Sequence, residues 1–143
     1  MRIFIADDDV DDLELFQSAI RDIEPGVEII AANDGYCLLE NLHTKTPPLP
    51  DIIFLDINMP KFNGFECLQQ IRQEPRLKHV PVVVLSTSDR KNDVDAMWEH
   101  GANCYIKKPN TYSAFKHVLK DIIDNPCPVH ERKKDAFLII PEV

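Results

Sequence analysis

The chain has 143 residues, enough for one domain that buries roughly two-thirds of its unfolded surface and too few for a second folded unit. With 24 Asp and Glu against 16 Lys and Arg, its formal charge is −8; a phosphate backbone repels such a chain, so no direct nucleic-acid partner is expected. The cysteines Cys37, Cys67, Cys104 and Cys127 are scattered without Cys-x-x-Cys spacing, which argues against a zinc site or a disulfide framework and for cytosolic thiols. No apolar run approaches the roughly 18 residues of a membrane span, and no charged-then-apolar leader opens the chain. The expectation is a soluble cytoplasmic protein without membrane insertion.

In chain order, the first predicted strand is Arg2–Ala6. A helix follows, with Val10, Leu13, Phe16, Ile20 and Ile23 stepping by three or four so as to share one stripe, and Pro25-Gly26 ends it. The second strand, Val27–Ala32, turns through Asn33-Asp34-Gly35 into the second helix, and Pro47-Pro48-Leu49-Pro50 leads into the third strand, Asp51–Asp56. Phe65, Leu68 and Ile71 mark the third helix and Pro81–Ser86 the fourth strand; Gly101 closes the fourth helix, which carries Met97 and Trp98. Asn103–Lys107 is the fifth strand, and Tyr112, Phe115, Val118 and Ile122 stripe the fifth helix. Most of the strands are continuously apolar, as strands covered on both faces must be. Five alternations of strand and helix demand crossover connections, hence an α/β doubly wound parallel sheet with helices on both sides. After Asp124 the segment Asn125–Lys134 is rich in proline and charge, and Phe137–Ile140 turns apolar again. That end either frays, or folds back on the domain, or docks a second subunit as a homodimer, since exposed large apolar residues are a solubility liability.

In such sheets chemistry gathers beyond the carboxyl ends of the strands. The first strand ends in Asp7-Asp8-Asp9, three carboxylates that repel one another; part of the run can cap the next helix, with Asp9 as N-cap and Asp11 and Asp12 favouring its dipole. The third strand ends in Asp56. Acids delivered to one sheet edge by two strands are most simply compensated by a hard divalent cation, and Mg²⁺, which keeps waters and phosphate oxygens in its shell, suits them. Ser86-Thr87-Ser88 ends the fourth strand and Lys107-Lys108-Pro109 the fifth. A carboxylate nucleophile, a metal, an ammonium and a hydroxyl are together what phosphoryl transfer to Asp needs. Strand alternation puts Lys107 and Lys108 on opposite faces, and the residue pattern does not choose between them.

The segments IFIADDD, DIIFLDINMPKFNGFECLQQIR, VPVVVLSTSD and GANCYIKKP, in that order and spacing, resemble the receiver domain of two-component response regulators, over about Arg2 to Asp124. The stand-alone receivers paired with phytochrome-type kinases are the most similar type. The resemblance implies a flavodoxin-like fold with strand order 2-1-3-4-5, a receiver domain over residues 1–124 and a tail over 125–143. It implies Asp56 as phosphoacceptor, Asp7 and Asp8 with Asp56 and the Asn58 backbone carbonyl as ligands of Mg²⁺ (Mn²⁺ as a substitute), and Ser86 as the switch hydroxyl. Lys108 would contact the phosphoryl group, Tyr105 would be the aromatic that turns inward when Ser86 moves, and Lys108-Pro109 would be the family's cis peptide. Thr87 stands where the family often has a smaller residue, so it would crowd the acceptor.

The implied donor is a sensor histidine kinase or a histidine phosphotransfer protein. The implied output is a changed surface of fourth helix, fifth strand and fifth helix that meets a downstream protein target; fewer than 20 residues follow Asp124, so the signal is expected to leave by protein contact or relay. On this reading the chain is a phosphoacceptor switch rather than an enzyme with a separate substrate. The alternative is a receiver-fold scaffold that is never phosphorylated. Aspartyl-nucleophile phosphatases place their acids on the first strand, and a flavin carrier's phosphate loop would be repelled by Asp7-Asp8-Asp9; both fit less well.

Overall fold

The computed structural model describes residues 1–44, 49–125 and 131–141. Pro47-Pro48, Cys127 and the two prolines of the Asn125–Lys134 segment, Pro126 and Pro128, lie outside the described residues. The elements run β1 (Arg2–Ala6), α1 (Val10–Ile23), β2 (Glu28–Ala32), α2 (Gly35–Thr44), β3 (Ile52–Asp56), α3 (Gly64–Gln73), β4 (Val82–Ser86), α4 (Lys91–Glu99), β5 (Cys104–Lys107), α5 (Tyr112–Asp124) and β6 (Leu138–Ile139). The sheet order is β2-β1-β3-β4-β5-β6, with every pairing parallel. The order of the first five strands is the one the sequence implied. The sixth, a two-residue strand from the apolar tail segment, is an addition to it.

β3 and β4 are buried along their whole length, which is why they read as unbroken apolar runs. Alternate residues feed two cores. Phe4, Ile53, Leu55, Val82 and Val84 pack beneath Leu38 and Leu42 of α2, Leu68 and Ile71 of α3 and Met97 of α4. Ile3, Ile5, Phe54, Val83 and Leu85 pack beneath Phe16 and Ile20 of α1 and Phe115, Val118 and Leu119 of α5. Cys67 and Cys104 are buried as small core residues, and burial pushes both thiols up to about 12.

The carboxyl end of β1 meets the start of α1, where Asp9 is the N-cap and accepts the backbone N–H of Asp11 and of Asp12. The carboxyl end of β3 continues into a tight loop that holds Lys61 and Phe62 at positive φ and enters α3 through a capping box made by Asn63 and Glu66. Gly64 lets this loop fold back over the strand. Its N–H donates to the Ile57 carbonyl at 2.8 Å, and a Cβ there would stand 2.6 Å from the Asp56 carbonyl oxygen. Gly64→Ala therefore forces the backbone of Asp56 to move. We expect it to destabilise the fold by about 1–3 kcal/mol, measured by urea unfolding; an unchanged midpoint would show that the loop yields without cost.

Candidate functional site

The ends of β1, β3, β4 and β5 converge at one edge of the sheet. Asp7 is 2% exposed and Asp56 5% exposed, while Asp8 faces solvent. One carboxylate oxygen from each of Asp7, Asp8 and Asp56 lies within 4.8 Å of the others. These are hard oxygen donors of the kind that hold a divalent cation, and two of the three are already stripped of water.

Lys108, just past the end of β5, compensates this charge. Its Nζ lies 2.8 Å from Asp7 Oδ2, 2.9 Å from Asp12 Oδ2 and 3.6 Å from Asp56 Oδ2. Its backbone N–H donates to the Ser86 carbonyl at 2.7 Å, so β4 fixes where the ammonium stands. Lys107 points elsewhere, to Asp89 at 3.1 Å. Of the two lysines, only Lys108 reaches the acids.

Burial is the largest influence on Asp56 and pushes its pKa up; Lys108 opposes this, the charge of Asp7 and a hydrogen bond with it add to it, and the Asn58 backbone N–H draws the value down. The balance is a carboxyl raised from 3.8 to about 7. Burial also works against the charge on Lys108, but its hydrogen bonds to Asp7 and Asp12 and the field of Asp56 outweigh that, and its pKa stands above the ordinary lysine value.

The remaining residues singled out by sequence sit around this group. Asn58 is exposed, one turn of loop beyond Asp56. Ser86 is wholly buried at the end of β4, its Oγ accepting the Ser88 N–H at 3.1 Å. Thr87, directly after Ser86, is exposed, and Pro109 lines the small cleft beside Lys108 with Asp12 and Phe16.

The Tyr105 ring is fully buried, with its hydroxyl donating to the Ser88 carbonyl at 2.8 Å. The tail packs here: Phe137 lies against the Tyr105 ring, centroids 6.3 Å apart, and its carbonyl accepts the Tyr105 N–H at 2.9 Å. The edge of β5 is covered by the tail segment, one of the outcomes the sequence left open.

Asp12 is the site residue that sequence reasoning missed. An acid in the first turn of a helix is fully accounted for by the dipole, so its residue type alone does not point to the site. Its place in the first turn of a helix that starts at the carboxylate edge is the signal that could have found it.

With this geometry in place, comparisons with known proteins identify its class. The response regulator receiver domain family matches residues 3–120, and the chain belongs to that family of two-component signalling proteins. It is 37% identical over 121 residues to the response regulator Rcp1 of Synechocystis, covering 81% of this chain and 82% of that one. Among solved structures it is similar to the phosphorylated cyanobacterial phytochrome response regulator RcpA, with a TM-score of 0.79, 34% identity and coverage of 86% of this chain and 91% of that one. It is similar also to the Mn²⁺-bound form of Rcp1, with a TM-score of 0.77, 33% identity and coverage of 87% and 92%. The acidic group here fits divalent-cation binding. Among the described residues no helix is long and apolar enough to cross a membrane.

The raised pKa of Asp56 has a sign. A carboxyl that holds its proton more tightly folded than unfolded makes its ionisation a load on the fold, so its contribution to stability falls as pH rises from about 4 through about 7. In chelator-containing buffer we expect Asp56→Asn to be more stable than the parent at pH 8, by on the order of 2 kcal/mol, and to lose that advantage near pH 4. Urea unfolding at pH 4, 6 and 8 measures it, and an Asn variant less stable at pH 8 contradicts the assignment.

Proposed function

We propose that the chain is a phosphoacceptor switch: Asp56 takes a phosphoryl group from a phosphohistidine on a sensor histidine kinase or histidine phosphotransfer protein, in a Mg²⁺-dependent reaction, and the acyl phosphate later hydrolyses. The observation that carries this reading is one buried carboxylate, Asp56, set within 4.8 Å of two more acids and 3.6 Å from a lysine Nζ at the open end of the sheet. The likeness to phytochrome-associated regulators supports a kinase of that type as donor.

In the transfer, an Asp56 carboxylate oxygen attacks phosphorus in line, the N–P bond breaks, and the freed imidazole keeps its electron pair and takes up a proton. A bound Mg²⁺, held by Asp7, Asp8, Asp56 and the Asn58 carbonyl, would neutralise phosphoryl oxygens in the transition state. Lys108 supplies the second positive charge. Once Asp56 is an acyl phosphate, the Lys108 ammonium turns from Asp12 towards the new oxygens, which carry roughly −1.5 to −2 charge. Ser86, buried beside Lys108 through the shared backbone hydrogen bond, offers the hydroxyl donor. Thr87, directly after Ser86, narrows the approach of water and so lengthens the life of the acyl phosphate. Movement of Ser86 alters the packing of Tyr105 and with it the face made by α4, β5 and α5, where a downstream protein reads the state. The phosphoryl group needs only to bind one of two states better. The chemistry is self-modification, and no separate substrate is turned over.

Incubation with acetyl phosphate and Mg²⁺ followed by intact-mass measurement is expected to show a gain of one phosphate, abolished by Asp56→Asn and by chelator. Lys108→Ala should cut the initial rate of gain at least tenfold. A chain that takes up no phosphate under any condition is a scaffold, and the reading falls.

A further inference from the structure

The segment 131–140 lies on the α4–β5 face in a way that defines a binding chemistry. Leu138 and Ile139 pair in parallel with Tyr105 and Ile106. Phe137 is 2% exposed and stands edge-on to Trp98, centroids 5.3 Å apart. Five residues earlier, the Arg132 guanidinium lies 4.2 Å over the Trp98 ring, while its Nε donates to the Ala102 carbonyl at 2.8 Å and its Nη2 to the Trp98 carbonyl. The Trp98 carbonyl belongs to the last turn of α4, where the helix dipole favours a cation, and the Ala102 carbonyl lies in the loop that follows.

These contacts are of three separate kinds: main-chain pairing at a sheet edge, an aromatic anchor in a buried pocket, and a cation held by an aromatic face, a helix-end carbonyl and a loop carbonyl. The pairing is only two residues long, and Leu138 and Ile140 remain exposed. A segment held by so little backbone is a ligand that another segment can replace.

We propose that the edge of β5, with Trp98 and the end of α4, is a strand-accepting groove whose resident occupant is this chain's own residues 131–140. A target protein is recognised there by displacing them with an extended segment that carries a guanidinium five residues before an aromatic side chain followed by aliphatic ones. The proposal rests on the reading above only for the groove's role as output. Its test uses no phosphate donor, so the two readings fail separately.

The test titrates a fluorescein-labelled peptide of residues 131–141 against the full-length chain and against full-length Phe137→Ala, whose own segment has lost its anchor, with anisotropy as readout. Phe137→Ala is expected to bind the peptide at least tenfold more tightly than the parent, where the resident segment competes. The same peptide carrying Phe137→Ala should bind at least tenfold more weakly than the native peptide. Amide exchange at Tyr105, slow in the parent, should quicken in the variant and slow again with peptide. Should Phe137→Ala lose the parent's circular dichroism, full-length Arg132→Ala carries the same comparison. Equal affinity of parent and variant, or no binding to either, overturns the proposal. So does binding that leaves Tyr105 exchange unchanged.

Discussion

Everything at the working edge of this protein follows from like charges held together at short range. Asp7 and Asp56 are buried with Asp8 beside them. At an effective dielectric constant near 20, two unit charges about 4 Å apart repel by about 4 kcal/mol. A sheet end of this kind persists only because a cation is built into it and because the rest of the fold is stable enough to hold it. Lys108 supplies the cation, and the two apolar cores on either side of the sheet supply the stability. The loop after Asp56, with Lys61 and Phe62 at positive φ, is another local cost borne next to the site, where strained backbone commonly collects.

The same lysine ties the charge cluster to the opposite edge of the molecule. Its side chain answers to Asp7, Asp12 and Asp56, while its backbone is bonded to Ser86. Ser86 accepts from Ser88, whose carbonyl takes the Tyr105 hydroxyl, and Tyr105 is packed and hydrogen-bonded to Phe137. Each link is a direct contact between residues on or just beyond the ends of β4, β5 and β6. A change in what Lys108 neutralises thus has a short, contiguous route to the groove that holds the tail. Asp12 enters the same balance, because it competes with Asp56 for one ammonium.

The legibility of these features in the sequence divides along physical lines. β3 and β4 announced themselves because burial on both faces leaves no polar position to blur the run. The acids could be placed at one edge because a parallel sheet sends all its carboxyl ends the same way. Lys108 could not be separated from Lys107 by alternation alone; the two face opposite ways, and only the positions of Asp7 and Asp89 in space say which lysine is which. Asp12 was hidden because a helix dipole already explains an acid in the first turn. Strand β6 was hidden for a different reason. A two-residue strand has no periodicity, and what holds it, Trp98 and Tyr105, comes from segments more than 30 residues away.

The two edges of the sheet show why the tail lies where it does. At the β2 edge Glu28 and Ala31 are exposed and Ile29 and Ile30 are only partly buried; a charge and a small side chain there give an approaching strand little apolar surface to grip. At the β5 edge the neighbouring surface is aromatic, with Trp98 on α4 and Tyr105 on the strand itself. Left open, that edge would present unpaired backbone groups next to a large apolar patch, the combination that invites unwanted strand pairing. Covering it with a short segment of the same chain removes the hazard. Because the cover is short, it leaves the edge able to accept another strand, so protection of the edge and recognition at it draw on the same contacts.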